Sequence, residues 1–277
     1  MGVKVTQQPN PRESNPVGLL LPGMTMNETI FPDLGMPTIA ASFNELALGA
    51  DGGGEAVRRR RMDLYARMLR DRLRGAPPWM KATERIVVAH SFGGMLALRW
   101  LLTDATALAQ VSGLVLIGTT AGPMFDRVRV RLALGRRAIR LPLKPFISLW
   151  NHPGVTRAVK QFVCGDLAVE RVDFRELPDP TDVALDIAGW CNTDWRAMRS
   201  YRIAMEGFDV RADLPRLSVP TIVLHGTRDT LLPLSAGEEL AAALPSAAFW
   251  PIKGAGHGLP LTHGDRVQQA VESVTRR

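Results

Sequence analysis

Three residues of this chain have the types and spacing for nucleophilic acyl chemistry: Ser91, Asp229 and His257. Ser91 stands in Ala89-His90-Ser91-Phe92-Gly93, an A-x-S-x-G pentapeptide between an apolar run (Ile86 to Ala89) and a helix-period stretch (Met95 to Leu102). A sharp strand-to-helix turn strains the serine backbone, so its neighbours must be small; Gly93 and Gly94 meet that need. The turn presents the hydroxyl at a helix N-terminus, where backbone N–H groups favour developing negative charge. The plain alternative for Ser91 is a helix-capping serine. Asp229 follows Leu224-His225-Gly226 at the end of another apolar run, while no acid ends the preceding run at Gly118-Thr119-Thr120. A carboxylate there can orient an imidazole and stabilise its charged form; a surface turn is the alternative. His257 lies in Gly254-Ala255-Gly256-His257-Gly258, 28 residues after Asp229, which leaves room for one helix and one strand. His263 competes with it, next to a helix start at Gly264-Asp265. His90 and His225 read as structural turn residues, and His152 as a residue of the middle block that could touch substrate. In the turn Leu21-Pro22-Gly23-Met24-Thr25, the Met24 N–H could pair with that of Phe92 as an oxyanion hole.

Positioning these residues takes strands that end on one edge. Val17 to Leu21, Ile86 to Ala89, Leu114 to Ile117 and Val219 to Leu224 are short continuous apolar runs, as expected of strands buried on both faces. Thr38 to Ala41 and Ala248 to Ile252 are weaker strands. Helical spacing appears over Glu55 to Leu73, Leu234 to Leu244 and Gly264 to Val274. Arg58 to Arg61 reads as a solvated face of the first of these. Alternating strand and helix signals predict a mostly parallel sheet with helices on both faces. That alternation stops between about 119 and 213. The expected organisation is a flexible N-terminus (1–15), an α/β core (16–118 and 214–277) and an inserted helical cap (119–213) over the C-terminal edge of the sheet.

The cap segregates its charge. Residues 121–160 hold nine Lys or Arg against one acid, net +8, and residues 161–190 are net −5. Phe125, Leu132, Ile139 and Phe146 are interleaved with the basic half, which reads as amphipathic lid helices with cationic tops. Such a rim would attract an acidic carrier protein or an anionic lipid surface, unless the two halves simply neutralise each other. Trp150, Trp190 and Trp195 would suit an acyl or aryl pocket under the cap, or equally its core.

The composition excludes several classes. The chain has 277 residues, 46% hydrophobic and 22% charged, which fits neither a disordered nor a collagenous protein. No window is apolar enough to span a membrane. Net charge is +7 with 34 basic residues, only five of them Lys, yet no nucleic-acid-binding pattern accompanies it. No secretory signal is visible, so a cytoplasmic protein with two reduced thiols, Cys164 and Cys191, is expected. Gly2 and Thr6 fit a loose myristoylation pattern. Neither a cofactor nor a metal is expected.

From about Val17 to its C-terminus the chain resembles the α/β-hydrolase superfamily. The resemblance rests on Ala89-His-Ser-Phe-Gly-Gly94, Pro220-Thr-Ile-Val-Leu-His-Gly-Thr-Arg-Asp229 and Gly254-Ala-Gly-His-Gly258, in the superfamily's order Ser, Asp, His. It implies an eight-stranded, mostly parallel sheet, an inserted helical lid, and triad roles for Ser91, Asp229 and His257. Ala89 replaces the usual glycine, Pro22-Gly23 replaces a common His-Gly, and little sequence precedes Val17 for the first two antiparallel strands. The leading expectation is a serine hydrolase of carboxylic esters with an apolar acyl or aryl part. A thioesterase or acyltransferase on carrier-bound acyl groups and a carbon–carbon bond hydrolase remain alternatives. A catalytically silent binding protein of the same fold is the non-enzyme reading.

Overall fold

The continuous apolar runs become strands covered on both faces. The computed structural model describes residues 4–5, 16–41, 61–126, 129–134, 137–142, 149, 152–164, 173–177, 181–191 and 193–275. Before the middle block come β1 (Lys4–Val5), β2 (Pro16–Leu21), β3 (Thr38–Ala40), β4 (Glu84–His90) and β5 (Gly113–Ile117). The block holds β6 (Arg129–Leu134) and β7 (Arg137–Pro142); β8 (Thr221–Gly226) and β9 (Ala247–Ile252) follow it. The main sheet has the order β1-β3-β2-β4-β5-β8-β9. Six of its strands are parallel, and β1 pairs antiparallel with β3. Seven strands among the described residues replace the eight expected, and the antiparallel edge is two residues long.

Alternate residues of each run serve opposite faces. Leu19, Val87, Leu114, Leu116 and Val223 pack against one set of helices; Leu20, Val88, Val115, Ile222 and Leu224 pack against the other. Each fully buried aliphatic side chain contributes roughly 1.5–3 kcal/mol. That is why the runs are unbroken rather than alternating. On the first face lie α1 (Arg61–Arg74), α2 (Pro77–Lys81), α3 (Phe92–Thr103) and α4 (Ala105–Gln110).

The middle block carries α5 (Pro153–Cys164), a 3-10 turn at Phe174–Glu176, α6 (Asp182–Cys191), α7 (Trp195–Glu206) and a 3-10 turn at Arg211–Arg216. After it come α8 (Leu234–Ala243), α9 (Leu259–Thr262) and α10 (Gly264–Thr275), the last covering the second face.

Three expectations need correction. Residues 121–160 are not a run of lid helices: β6 and β7 form an antiparallel hairpin, with Arg131 opposite Arg140 and Leu132 opposite Ile139. Arg129-Val130-Arg131-Leu132 repeats with period two, which suits a strand and not a 3.6-residue helix. Arg61 is not on a solvated face. It is 3% exposed, and its Nη1–H donates to Ser200 Oγ of α7 at 2.9 Å. Cys191 is disulfide-bonded rather than reduced. Arg58, Trp150 and most of the N-terminal 15 residues lie outside the described residues.

Candidate active site

Ser91 leaves β4 in a conformation that few L-residues adopt, φ 52° and ψ −118°. Its N–H donates to Ile117 O at 2.9 Å, and its carbonyl accepts from Thr119 Oγ1 at 2.7 Å and Gly94 N at 2.9 Å. The main chain is therefore over-determined. The side chain does not cap α3, which removes the capping alternative. Gly93 explains the tightness of the turn. A Cβ there would lie 2.1 Å from Leu21 O and 2.6 Å from Pro22 O, so the first turn of α3 sits directly on the end of β2.

Asp229 follows β8, and its side chain is fully buried. Its Oδ1 accepts two backbone N–H groups, Leu231 at 2.9 Å and Leu232 at 2.8 Å. Its Oδ2 lies 2.7 Å from His257 Nδ1. Burial pulls the carboxyl upward, but the His257 charge and hydrogen bond, the Leu232 N–H and His225 together hold it below the usual aspartate value. A carboxylate facing Nδ1 puts the His257 proton there. Nε2 is left bare, and Ser91 Oγ–H donates to it at 2.9 Å. The structure thus brings Ser91, His257 and Asp229 into one hydrogen-bonded chain. Gly118, at φ 51°, lies beneath them; its added Cβ would be 3.5 Å from both Asp229 Oδ2 and His257 Nδ1.

Two more histidines close the site from below. His90 Nε2–H donates to the His257 carbonyl at 2.9 Å, and the two rings lie 4.8 Å apart at 50°. Burial, then the neighbouring His257, lowers the His90 pKa to about 3, so it stays neutral. His225 Nε2–H donates to Leu232 O at 3.1 Å and lies 3.6 Å from Asp229 Oδ2. Burial lowers its pKa as well. Their sequence context marks both as turn residues; their proximity to His257 and Asp229 is a tertiary fact that spacing does not carry. His263 bonds its neighbour Thr262 at 2.9 Å, and His152 is exposed in the middle block.

Met24 is half-buried just after β2, and Phe92 is buried as the first residue of α3. The Gly93 contact with Pro22 O keeps these two stretches adjacent. The Phe92 ring packs edge-on against Tyr65 and Tyr201 at centroid distances of 5.8 and 5.0 Å. The next residue, Thr25, is buried at φ 67° and was not singled out in the sequence. Thr193 Oγ1 donates to its carbonyl at 3.4 Å, and a Cβ on Gly189 would lie 2.4 Å from its Oγ1. The corner between α6 and α7 therefore rests on the Met24–Thr25 turn. Trp190 and Trp195 belong to that corner and are half-buried; Trp150 lies outside the described residues.

A model of the alpha/beta hydrolase family matches residues 19–270. The polyketide synthase ThaQ of Burkholderia thailandensis is 31% identical over 46% of this chain, a match that spans 6% of that protein. The pimeloyl-[acyl-carrier protein] methyl ester esterase of Xanthomonas oryzae pv. oryzae is 42% identical over 66% of this chain and 67% of its own length. A hydrolase from Oleispira antarctica superposes with a TM-score of 0.67 at 15% identity, covering 99% of this chain and 94% of that one.

Proposed function

The chain belongs to the alpha/beta hydrolase family, and on that premise we propose that it is a serine hydrolase. Its substrates are carboxylic esters with an apolar acyl or aryl part, cleaved through an acyl-enzyme. Ser91 Oγ attacks the ester carbonyl while His257 Nε2 takes its proton. Asp229 keeps the His257 proton on Nδ1 and stabilises the imidazolium. The N–H groups of Met24 and Phe92 hold the oxyanion; a donor of this kind typically contributes about 3 kcal/mol to transition-state binding. His257 then passes the proton to the leaving alcohol, and water repeats the sequence to release the acid. Residues 119–213 act as the cap over the acyl group, with Trp190 and Trp195 beside it.

One observation carries this reading: Ser91 Oγ lies 2.9 Å from His257 Nε2, and His257 Nδ1 lies 2.7 Å from the buried Asp229 carboxylate. A second reading, an ester or thioester hydrolase acting on carrier-bound acyl groups, is favoured by the net +8 of residues 121–160 and by the name of the Xanthomonas oryzae relative. Disulfides persist in oxidising compartments, so the bonded Cys191 weighs against the cytoplasmic placement expected from the sequence. No helix among the described residues is long and apolar enough to cross a membrane.

Fluorophosphonate labelling, followed by peptide mapping, tests the nucleophile. Ser91 is the expected adduct, and labelling of another serine overturns the assignment. A series of nitrophenyl esters and matching acyl thioesters then separates the two readings by kcat/KM.

A further inference from the structure

Thr25, next to the candidate oxyanion donor Met24, is buried at φ 67°. A β-branched residue stays in that region only where its surroundings impose it. Two contacts from the middle block bear on it. In α6, Gly189 lies so close that an added Cβ would stand 3.1 Å from Thr25 Cβ and 3.2 Å from its carbonyl oxygen. Just past α6, Thr193 Oγ1–H donates to the same carbonyl at 3.4 Å. Cys191, the last residue of α6, stands two residues from each of them. It is disulfide-bonded. The chain's one other cysteine, Cys164, ends α5, so an intrachain bond at Cys191 joins the C-terminal ends of α5 and α6.

α5 is in turn tied back to the core. It packs against α6 and α7. Lys160 of α5 donates from Nζ to the Thr193 carbonyl. Arg202 of α7 donates from Nη2 to Thr156 Oγ1 of α5 at 2.7 Å. α7 itself rests on α1 through the contacts of Arg61 and Tyr65 with Ser200. The bond at Cys191 therefore fastens the end of α6 that bears on Thr25 to a helix anchored elsewhere.

We propose that the Cys164–Cys191 disulfide is a redox-sensitive clamp on the Met24–Thr25 turn. A dithiol reductant opens it by exchange. One thiolate of the reductant attacks a sulfur of the bond, and its second thiolate then displaces that sulfur. The reductant leaves as a disulfide, and two electrons and two protons end on Cys164 and Cys191 as thiols. Cys191 is half-buried rather than sealed, which gives a small reductant access. With the bond open, α6 loses its covalent hold, Gly189 no longer confines Thr25, and the turn relaxes with the adjoining Met24 N–H. The oxyanion donor is then in place only where disulfides persist. The inference rests on the proposed hydrolase in taking Met24 as that donor; the coupling of the bond to the turn does not depend on it.

Hydrogen exchange of the full chain, read by mass spectrometry before and after dithiothreitol, tests the coupling. Peptides covering residues 23–27 should exchange about tenfold faster after reduction, while peptides over β8 stay unchanged. For a small neutral ester, kcat should fall about tenfold at nearly constant KM, part of the roughly 100- to 1,000-fold that complete loss of an oxyanion donor costs. Glutathione disulfide should restore both readings. Cys191→Ser should match the reduced wild type and ignore the reductant; if that variant does not fold, the reversible reduction of the wild type gives the same two readings. Free thiols at both cysteines before reduction overturn the clamp. So does unchanged exchange at 23–27, or an equal rise over β8, which marks a bond that serves overall stability alone. Faster exchange with unchanged kcat overturns its effect on catalysis. An oxidised chain that neither turns over esters nor labels at Ser91 defeats the hydrolase reading instead, and the exchange rates then decide the clamp by themselves.

Discussion

His90 holds the main chain of His257: its Nε2–H donates to the His257 carbonyl at 2.9 Å while the rings pack 4.8 Å apart. The residue before the candidate nucleophile thus fixes the loop that carries the candidate base. Because His90 stays neutral, it does this without placing a second charge against His257.

Removing that donor should loosen the base without touching substrate. His90→Leu is expected to lower kcat on a small neutral ester about 10- to 100-fold with KM nearly unchanged. His90→Gln, whose amide can reach the same carbonyl, should recover most of the loss. Steady-state kinetics of the two variants decide this; equal damage from Leu and Gln would falsify the positioning role.

Asp229→Asn should be more damaging than loss of a charge alone implies. The Leu231 and Leu232 N–H groups pin Oδ1, so the new carbonyl oxygen takes that place and the NH2 faces His257 Nδ1. His257 must then carry its proton on Nε2, where it cannot accept one from Ser91. A fall of about 10⁴-fold in kcat is expected, with the thermal unfolding midpoint little changed.

Stability should fall on mild acidification. His90 and His225 are held neutral in the folded chain and take up protons on unfolding below about pH 6.5. The unfolded state therefore binds more protons, and stability rises with pH over this window. For His90 the window runs from about 6.5 down to its folded value of about 3, at roughly 1.4 kcal/mol per pH unit. Asp229, held below its usual value, contributes stability above about pH 4 that is lost only as pH falls further. Urea midpoints at pH 7.5 and 5.5 measure the slope. His90→Leu should flatten it by about one proton.

Two glycine substitutions should separate a steric effect from a conformational one. Gly93→Ala drives a methyl onto Leu21 O at 2.1 Å, a backbone contact that no rotamer relieves. Roughly 3 kcal/mol of stability and nearly all activity should be lost. Gly118→Ala meets nothing closer than 3.5 Å but must adopt φ 51°, at a cost of about 1–2 kcal/mol. Thermal unfolding and ester turnover of the two variants, measured together, check the ranking.

Reversing Arg129, Arg136 and Arg140 to Glu should raise KM for anionic acyl substrates at low salt and leave a small neutral ester unaffected. The difference should fade as ionic strength rises, since the Debye length is only about 8 Å in physiological salt. Equal responses by both substrates would show the basic half to be a solvated face.

Much of this was legible because the informative residues are local. Ile86 to Ala89 and Leu114 to Ile117 declare strands buried on both faces, and Ser91 between a strand and a helix declares its turn. The β6–β7 hairpin has a signal of its own, the alternation of Arg129-Val130-Arg131-Leu132, but the segment's segregated charge is equally compatible with amphipathic helices. The bond at Cys191 and the burial of Arg61 against Ser200 are products of tertiary packing, which no spacing encodes. Nor could the sequence say that His90 and His225 reach the loops of His257 and Asp229. Those contacts join residues brought together by the sheet.

The adjacency of β5 and β8 has an entropic consequence. Ile117 pairs with Leu224, and the 103 residues from 118 to 220 are looped out between the two strands. Closing so long a loop costs only about 2.5 kcal/mol more than closing one of six residues, because the penalty grows with the logarithm of length. The scaffold that aligns Ser91 with Asp229 is therefore nearly indifferent to how much chain departs and returns at this point. A longer or shorter stretch between β5 and β8 would therefore change the stability of the sheet by only a few kcal/mol.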